Sequence, residues 1–167
     1  MKLEEAKLQF IQAWGKLGSA WGINRTMAQI HALLMISEKP LSTEEIMESL
    51  SISRGNANMN IRELLNWSLL HKVLIAGDRK EYFSGEKDIW EVAKRIARER
   101  KKREIEPVLQ ELKQLQEIED SGSDEAKQFL ATVKNIHSFA GKIDNSVETM
   151  LKADESWFFG SILKLLK

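Results

Sequence analysis

The chain has 167 residues, with 25 Lys+Arg balanced by 25 Asp+Glu, two Pro and no Cys. The lack of cysteine excludes a disulfide framework, a thiolate metal site and a Cys nucleophile, which fits a reducing, cytoplasmic setting, and no stretch approaches the roughly 20 apolar residues of a membrane span. Zero net charge weighs against nucleic-acid binding, because domains of that kind usually carry excess positive charge.

Leu3, Ala6, Phe10, Ala13, Trp14, Leu17 and Trp21 recur at three- and four-residue steps. They predict an amphipathic helix over residues 3–21, ended by Gly22; its acidic residues distinguish the first ten positions from a signal peptide. Asn24 is placed to cap a second helix with Met27, Ile30, Leu33 and Leu34 on its apolar face, ending near Ser37. Beyond Pro40 a short extended piece at Leu41 leads into Ser42-Thr43-Glu44-Glu45. Hydroxyls followed by carboxylates open a short helix, Glu44 to Leu50, with Ile46, Met47 and Leu50 facing inward. Ser51-Ile52-Ser53 makes a tight turn, and Ser53 caps a helix from Arg54 to about Trp67. Val73–Ala76, Gly77–Lys80 and Glu81–Ser84 read as strand, turn, strand. From Asp88 a long helical pattern runs from Ile89 through Ile118, with a kink expected near Glu106 because of Pro107. Ser121-Gly122-Ser123 punctuates the chain. A further helix carries Ala126, Phe129, Leu130, Val133, Ile136, His137 and Ala140 towards Leu151, and Asp154-Glu155-Ser156 caps a last one, Trp157 to Leu166.

Short helix, turn, longer helix and hairpin, in that order from Ser42 to Ser84, make a winged helix-turn-helix. In that arrangement the first helix braces the second, whose outer face enters the major groove of DNA. At 100° per residue, Ala57, Ile61, Leu64 and Leu65 fall on the inner side of the second helix. Gly55, Asn56, Met59, Arg62, Glu63 and Asn66 lie opposite, with Arg54 near the start and Asn58 and Asn60 on the flanks. Asn and Arg are indifferent helix formers here, but Asn pairs with adenine and Arg with guanine or phosphate. Gly55 would let backbone approach the sugar-phosphate chain. At the hairpin tip Arg79, then Lys80, are candidates for a minor-groove or phosphate contact. The basic run from Lys94 to Glu104 reads first as a solvated helical face. Residues 105–125 hold seven acidic residues against Lys113, so the charge is segregated rather than mixed. Zero net charge then predicts low non-specific affinity and reliance on two half-sites.

The stretches MAQIHALLMISEKPLSTEEIMESLSISRGNANMNIRELLNWSLLHKV, GDRKEYF and ERKKREIEPVLQEL together resemble the GbsR/MarR group of winged helix-turn-helix transcriptional regulators, over about residues 1–120. The resemblance implies a homodimeric repressor or activator on a pseudo-palindromic operator, dimerised through the long helix and the terminal helices. It carries Arg54, Gly55, Asn56, Asn58, Asn60 and Arg62 over to recognition-helix positions and Arg79 to the wing. The region past Ser121 is variable in that group.

The expected organisation is mainly α with a small β-hairpin wing. Residues 1–21 form a helix joining the dimerisation module, 22–87 the winged helix-turn-helix domain, and 88–167 the helices for dimerisation. Half-sites about 34 Å apart require a dimer, and the apolar stripes at both ends exceed what one small domain can cover. A small-molecule effector would sit near Trp14, Trp21, Ile30, His31, Leu34 and Trp90, a placement by fold analogy. Packing on apolar helical faces is the simpler explanation of all five Trp. His31, His71 and His137 lack carboxylates at ligand spacing, so no metal or cofactor is expected. No nucleophile, phosphate-loop or zinc-protease motif supports an enzyme. A winged helix that binds protein rather than DNA is the alternative, favoured by Glu63 on the outward face.

Overall fold

The computed structural model describes residues 1–119, 122–158 and 160. The chain divides into two compact units, Met1–Val92 and the part from Ala93 onward. The first begins with α1 (Leu3–Ala20) and α2 (Arg25–Ile36), joined through Gly22 at φ +76°. Asn24 caps α2 as expected, its Oδ1 accepting from the backbone N–H of Thr26 and Met27 at 2.9 and 3.2 Å. The buried side of α1 departs from the predicted stripe: it is Ile11, Gly15 and Gly18, whereas Leu3, Leu17 and Trp21 are exposed. A Cβ on Gly18 would lie 2.6 Å from Ala28 Cβ, and one on Gly15 2.7 Å from Gln29 Cγ. The two helices therefore meet backbone to side chain, a contact that counting large apolar residues overlooks.

After β1 (Leu41–Ser42) come α3 (Thr43–Leu50) and α4 (Arg54–Asn66). β2 (Leu70–Val73) and β3 (Tyr82–Gly85) complete a three-stranded antiparallel sheet in the order β1-β3-β2. The first hairpin strand thus lies three residues earlier than the predicted Val73–Ala76. Its register, Leu70 opposite Gly85 and Val73 opposite Tyr82, is fixed by burying Leu70 and Phe83 on one face. The run Leu74-Ile75-Ala76 is left in the loop. The core gathers Ile30 and Leu34 of α2, Ile46 of α3, Ala57, Ile61 and Leu64 of α4, and Phe83. Together these elements form a winged helix-turn-helix.

α5 (Ile89–Arg100) starts at Asp88, whose Oδ1 accepts from the N–H of Trp90 at 2.9 Å and of Glu91 at 3.2 Å. The expected kink near Glu106 is a π-helical segment, Lys101–Ile105, followed by α6 (Glu106–Gln114). Pro107 has no N–H to give the carbonyl four residues back, and immediately before it the Glu106 N–H reaches Lys101 O, five residues back. The helix ends at Gln114, so Leu115 and Ile118 lie beyond it, short of the predicted extent. α7 (Asp124–Lys152) is capped by Ser123 and runs through Leu151 as expected. Asp154 Oδ1 accepts from Trp157 N–H at 2.8 Å; the rest of the predicted last helix, and Ser121, fall largely outside the described residues.

Candidate nucleic-acid interface

Two caps and one left-handed residue set the geometry of the helix-turn-helix. Ser42 Oγ accepts from Glu45 N–H at 3.3 Å while Glu45 Oε2 accepts from Ser42 N–H at 2.8 Å, a reciprocal capping box that fixes the start of α3. Ser51 ends α3 at φ 51°, turning the chain so that Ser53 Oγ can accept from Asn56 N–H at 3.3 Å and start α4. The inner face of α4 is as predicted: Ala57, Ile61 and Leu64 are buried, and Leu65 is half-buried. Trp67 is buried at the end, its Nε1–H donating to Glu63 Oε1 at 3.0 Å.

Of the predicted recognition residues, Arg54, Gly55, Asn58, Met59 and Arg62 are exposed on the outer side of α4, and Asn56 is half-buried. Asn60 is not available to a ligand: it is 3% exposed. Its Nδ2 donates to Asn56 O at 2.8 Å and to Asn56 Oδ1 at 2.7 Å. One turn of helix separates the two residues, so Asn60 orients Asn56 instead of reading a base itself. The i, i+4 spacing of the two Asn was the signal for this clamp. Replacing Asn60 by Leu should leave the fold nearly intact, because it swaps buried shapes of similar size, yet free the Asn56 amide to rotate. Titration of a bound duplex should show a loss of discrimination at one base pair, of the order of 1–3 kcal/mol; retained discrimination would show that Asn56 needs no positioning.

Arg54 Nη2 donates to Glu44 Oε1 at 2.9 Å across the turn between α3 and α4. Glu44's own backbone N–H and then this guanidinium hold its carboxyl below the usual carboxylate range. The wing loop is organised by Asp78, which the sequence had offered only as a turn residue. Its N–H donates to Ile75 O at 3.1 Å around Gly77 at φ +84°, a left-handed position that favours glycine. Asp78 Oδ1 accepts from Lys80 N–H at 2.9 Å and Oδ2 from Tyr82 OH at 2.7 Å. The bond from the Lys80 backbone foremost, and then that from the Tyr82 hydroxyl, lower the Asp78 carboxyl, and the bond to Asp78 raises the Tyr82 phenol. Lys72 Nζ and Glu81 Oε1 close the base of the loop at 2.6 Å. Arg79 and Lys80 are exposed on it, as predicted.

The basic run from Lys94 is internally paired at several positions: Arg100 with Glu104 at 3.0 Å, Arg103 with Glu99 at 3.5 Å, and Lys101 with Glu106 and Asp144 at 2.8 and 3.2 Å. Arg98 and Lys102 to Glu104 are exposed, as a solvated face would be, but Lys101 is only 14% exposed and is held against α7 by Asp144, a correction to that reading for this residue.

Of the residues assigned to an effector, Ile30, His31, Leu34 and Trp90 are buried. Trp14 stacks on Phe10 at 5.7 Å and lies 6.2 Å from the His31 ring. Trp21 is 54% exposed just beyond α1. Packing explains Trp67 and Trp90 but not Trp21 or the equally exposed Trp157. A groove of about 570 Å³ between α1, the end of α2 and α3 is lined by Leu8, Ile11, Leu33, Ile36 and Leu41 among others, and by none of those six residues. Among the described residues no cluster of His, Asp and Glu could hold a metal ion, and no helix is long and apolar enough to cross a membrane.

No family model matches the chain. It is 25% identical over 89 residues to YvaV of Bacillus subtilis, assigned as an HTH-type transcriptional regulator, covering 53% of this chain and 50% of that one. It is 21% identical over 89 residues to the HTH-type transcriptional repressor OpcR of the same organism (53% and 48%), and 25% over 84 residues to the HTH-type transcriptional regulator MmpR5 of Mycobacterium tuberculosis (50% and 51%). The chain therefore spans about half the length of the curated relatives it matches. A crystal structure of a transcriptional regulator superposes with a TM-score of 0.58 at 16% identity, over 86% of this chain and 99% of the other. That likeness shows a shared fold, the winged helix-turn-helix with its helical extension.

Proposed function

We propose that the chain is a sequence-specific, double-stranded-DNA-binding transcriptional regulator of the GbsR/MarR type, a cytoplasmic, non-enzymatic repressor that acts as a homodimer on a pseudo-palindromic operator. The observation that carries the reading is the outer face of α4, where Arg54, Gly55, Asn58, Met59 and Arg62 are exposed beside a clamped Asn56 and a cation-bearing wing. A helix started by the Ser53 cap and braced by α3, with its polar side uncovered, fits the major groove. The distant HTH-type relatives support DNA as the partner, and the name of OpcR supports repression.

A second copy is supported by uncovered apolar surface. α7 exposes Phe129, Ile136, Phe139 and Ile143, at the heptad-like steps that suit a helix–helix seam, and α1 exposes Leu3, Leu8 and Leu17.

Selection of bound duplexes from a random pool tests binding, palindromy and half-site spacing together. On a selected duplex, two variants should then separate fold from contact. A Cβ on Gly55 meets nothing within 4 Å, so Gly55→Ala should stabilise the free protein by up to about 1 kcal/mol and nevertheless weaken binding by crowding the backbone approach. Arg79→Ala should weaken binding on every sequence and lower the salt slope by about one. Gel shifts unmoved by both would reject the interface, and a monomer in sedimentation at micromolar concentration would reject the dimer.

A further inference from the structure

Leu74 is the most exposed large apolar side chain among the described residues, at 89%, and its neighbour Ile75 is 42% exposed. Both sit on the outgoing limb of the wing loop, after β2. Arg79 and Lys80 stand exposed on the returning limb. A solvated loop gains nothing by presenting two aliphatic side chains, and this loop is not slack. The Ile75–Asp78 turn, the two hydrogen bonds to the Asp78 carboxylate and the Lys72–Glu81 pair hold it in one shape. An ordered loop with exposed apolar groups on one limb and exposed cations on the other fits a surface that is apolar within and anionic at its edges. Stacked bases between two phosphate chains are such a surface. An apolar protein groove would leave both cations unmatched.

Resting on the DNA-binding reading above, we propose that Leu74, backed by Ile75, is a minor-groove wedge that enters a base step while Arg79 and Lys80 hold the flanking phosphates. Apolar wedges of this kind unstack a step and kink the duplex. Pyrimidine–purine steps unstack most readily, so the wing selects for TA or CA/TG at its landing point without a hydrogen bond to a base. Leu74 is then a specificity-determining residue distinct from the α4 face.

The test uses the full chain and a selected duplex carrying 2-aminopurine in turn at each flanking pyrimidine–purine step, with bending measured by gel phasing. Wild type should raise the fluorescence at one step per half-site and bend the duplex. Leu74→Ser, at an exposed loop position that leaves folding untouched, should lose both signals and bind on the order of tenfold more weakly. Leu74→Phe should keep them. If Leu74→Ser retains the affinity and the bend, or if wild type raises no fluorescence at any step, the wedge is overturned while DNA binding stands. If wild type binds no duplex at all, both readings fall.

Discussion

Gly85→Ala should cost about 1–3 kcal/mol of folding stability, although at many strand positions the same change is neutral or favourable. The cause is what faces the residue. A Cβ on Gly85 would lie 2.9 Å from Met35 N, 3.0 Å from Leu34 C and 3.2 Å from Leu34 O. All three are backbone atoms of α2, and a helix backbone cannot rotate aside as a long side chain can. The sheet would have to lift away from α2 by a fraction of an ångström, loosening the contacts of buried Ile30, Leu34 and Phe83 together. Urea titration should show a lower midpoint with an unchanged slope. A midpoint at or above the wild-type value would mean that the sheet and α2 are not in fixed contact.

Acidification should destabilise the first unit through His31. The imidazole is buried against Trp14, and its Nε2 has no hydrogen-bond partner among the described residues. Burial pulls its pKa down from 6.5 to about 4, with Glu86 opposing more weakly. The fold therefore keeps the ring neutral at pH values where an unfolded chain has already taken up the proton. Its contribution is complete above pH 6.5 and is lost as the pH falls through that value towards about 4. The whole window is worth about 3 kcal/mol, of which about 2 is gone by about pH 5. His31→Leu should remove this component, so wild type should lose about 2 kcal/mol more than the variant between about pH 7.5 and pH 5. Identical pH slopes in denaturant titrations would rule the histidine out as the source.

Helix starts were legible in the sequence because capping is local. Asn24, Ser42 and Ser53 each accept a backbone N–H two or three residues on, and a single stretch of chain suffices to see it. The inner face of α4 was legible for the same reason. What escaped the sequence depended on a partner elsewhere in the chain. Strand position was set by pairing with β3, which buries Leu70 and Phe83 and places Leu74 and Ile75 in the loop, although their composition reads as strand. The α1–α2 contact is made by Gly15 and Gly18, which carry no hydrophobic signal. Asn60 looked like a flank residue because a helical wheel gives direction but not depth; only the structure shows its amide spent on Asn56.

The π turn at Lys101–Ile105 bears on how the second unit can change over generations. Such a turn is an α-helix that has absorbed one surplus residue without breaking. Each residue of an α-helix advances about 100° around its axis, so the surplus is stored as a rotation of everything downstream. Related chains of different length in this stretch could keep α6 helical while showing different residues to their surroundings. An alignment that treats α5 and α6 as one uninterrupted wheel would then match Leu109 and Leu112 to the wrong face, and a gap placed at the π turn would restore the correspondence.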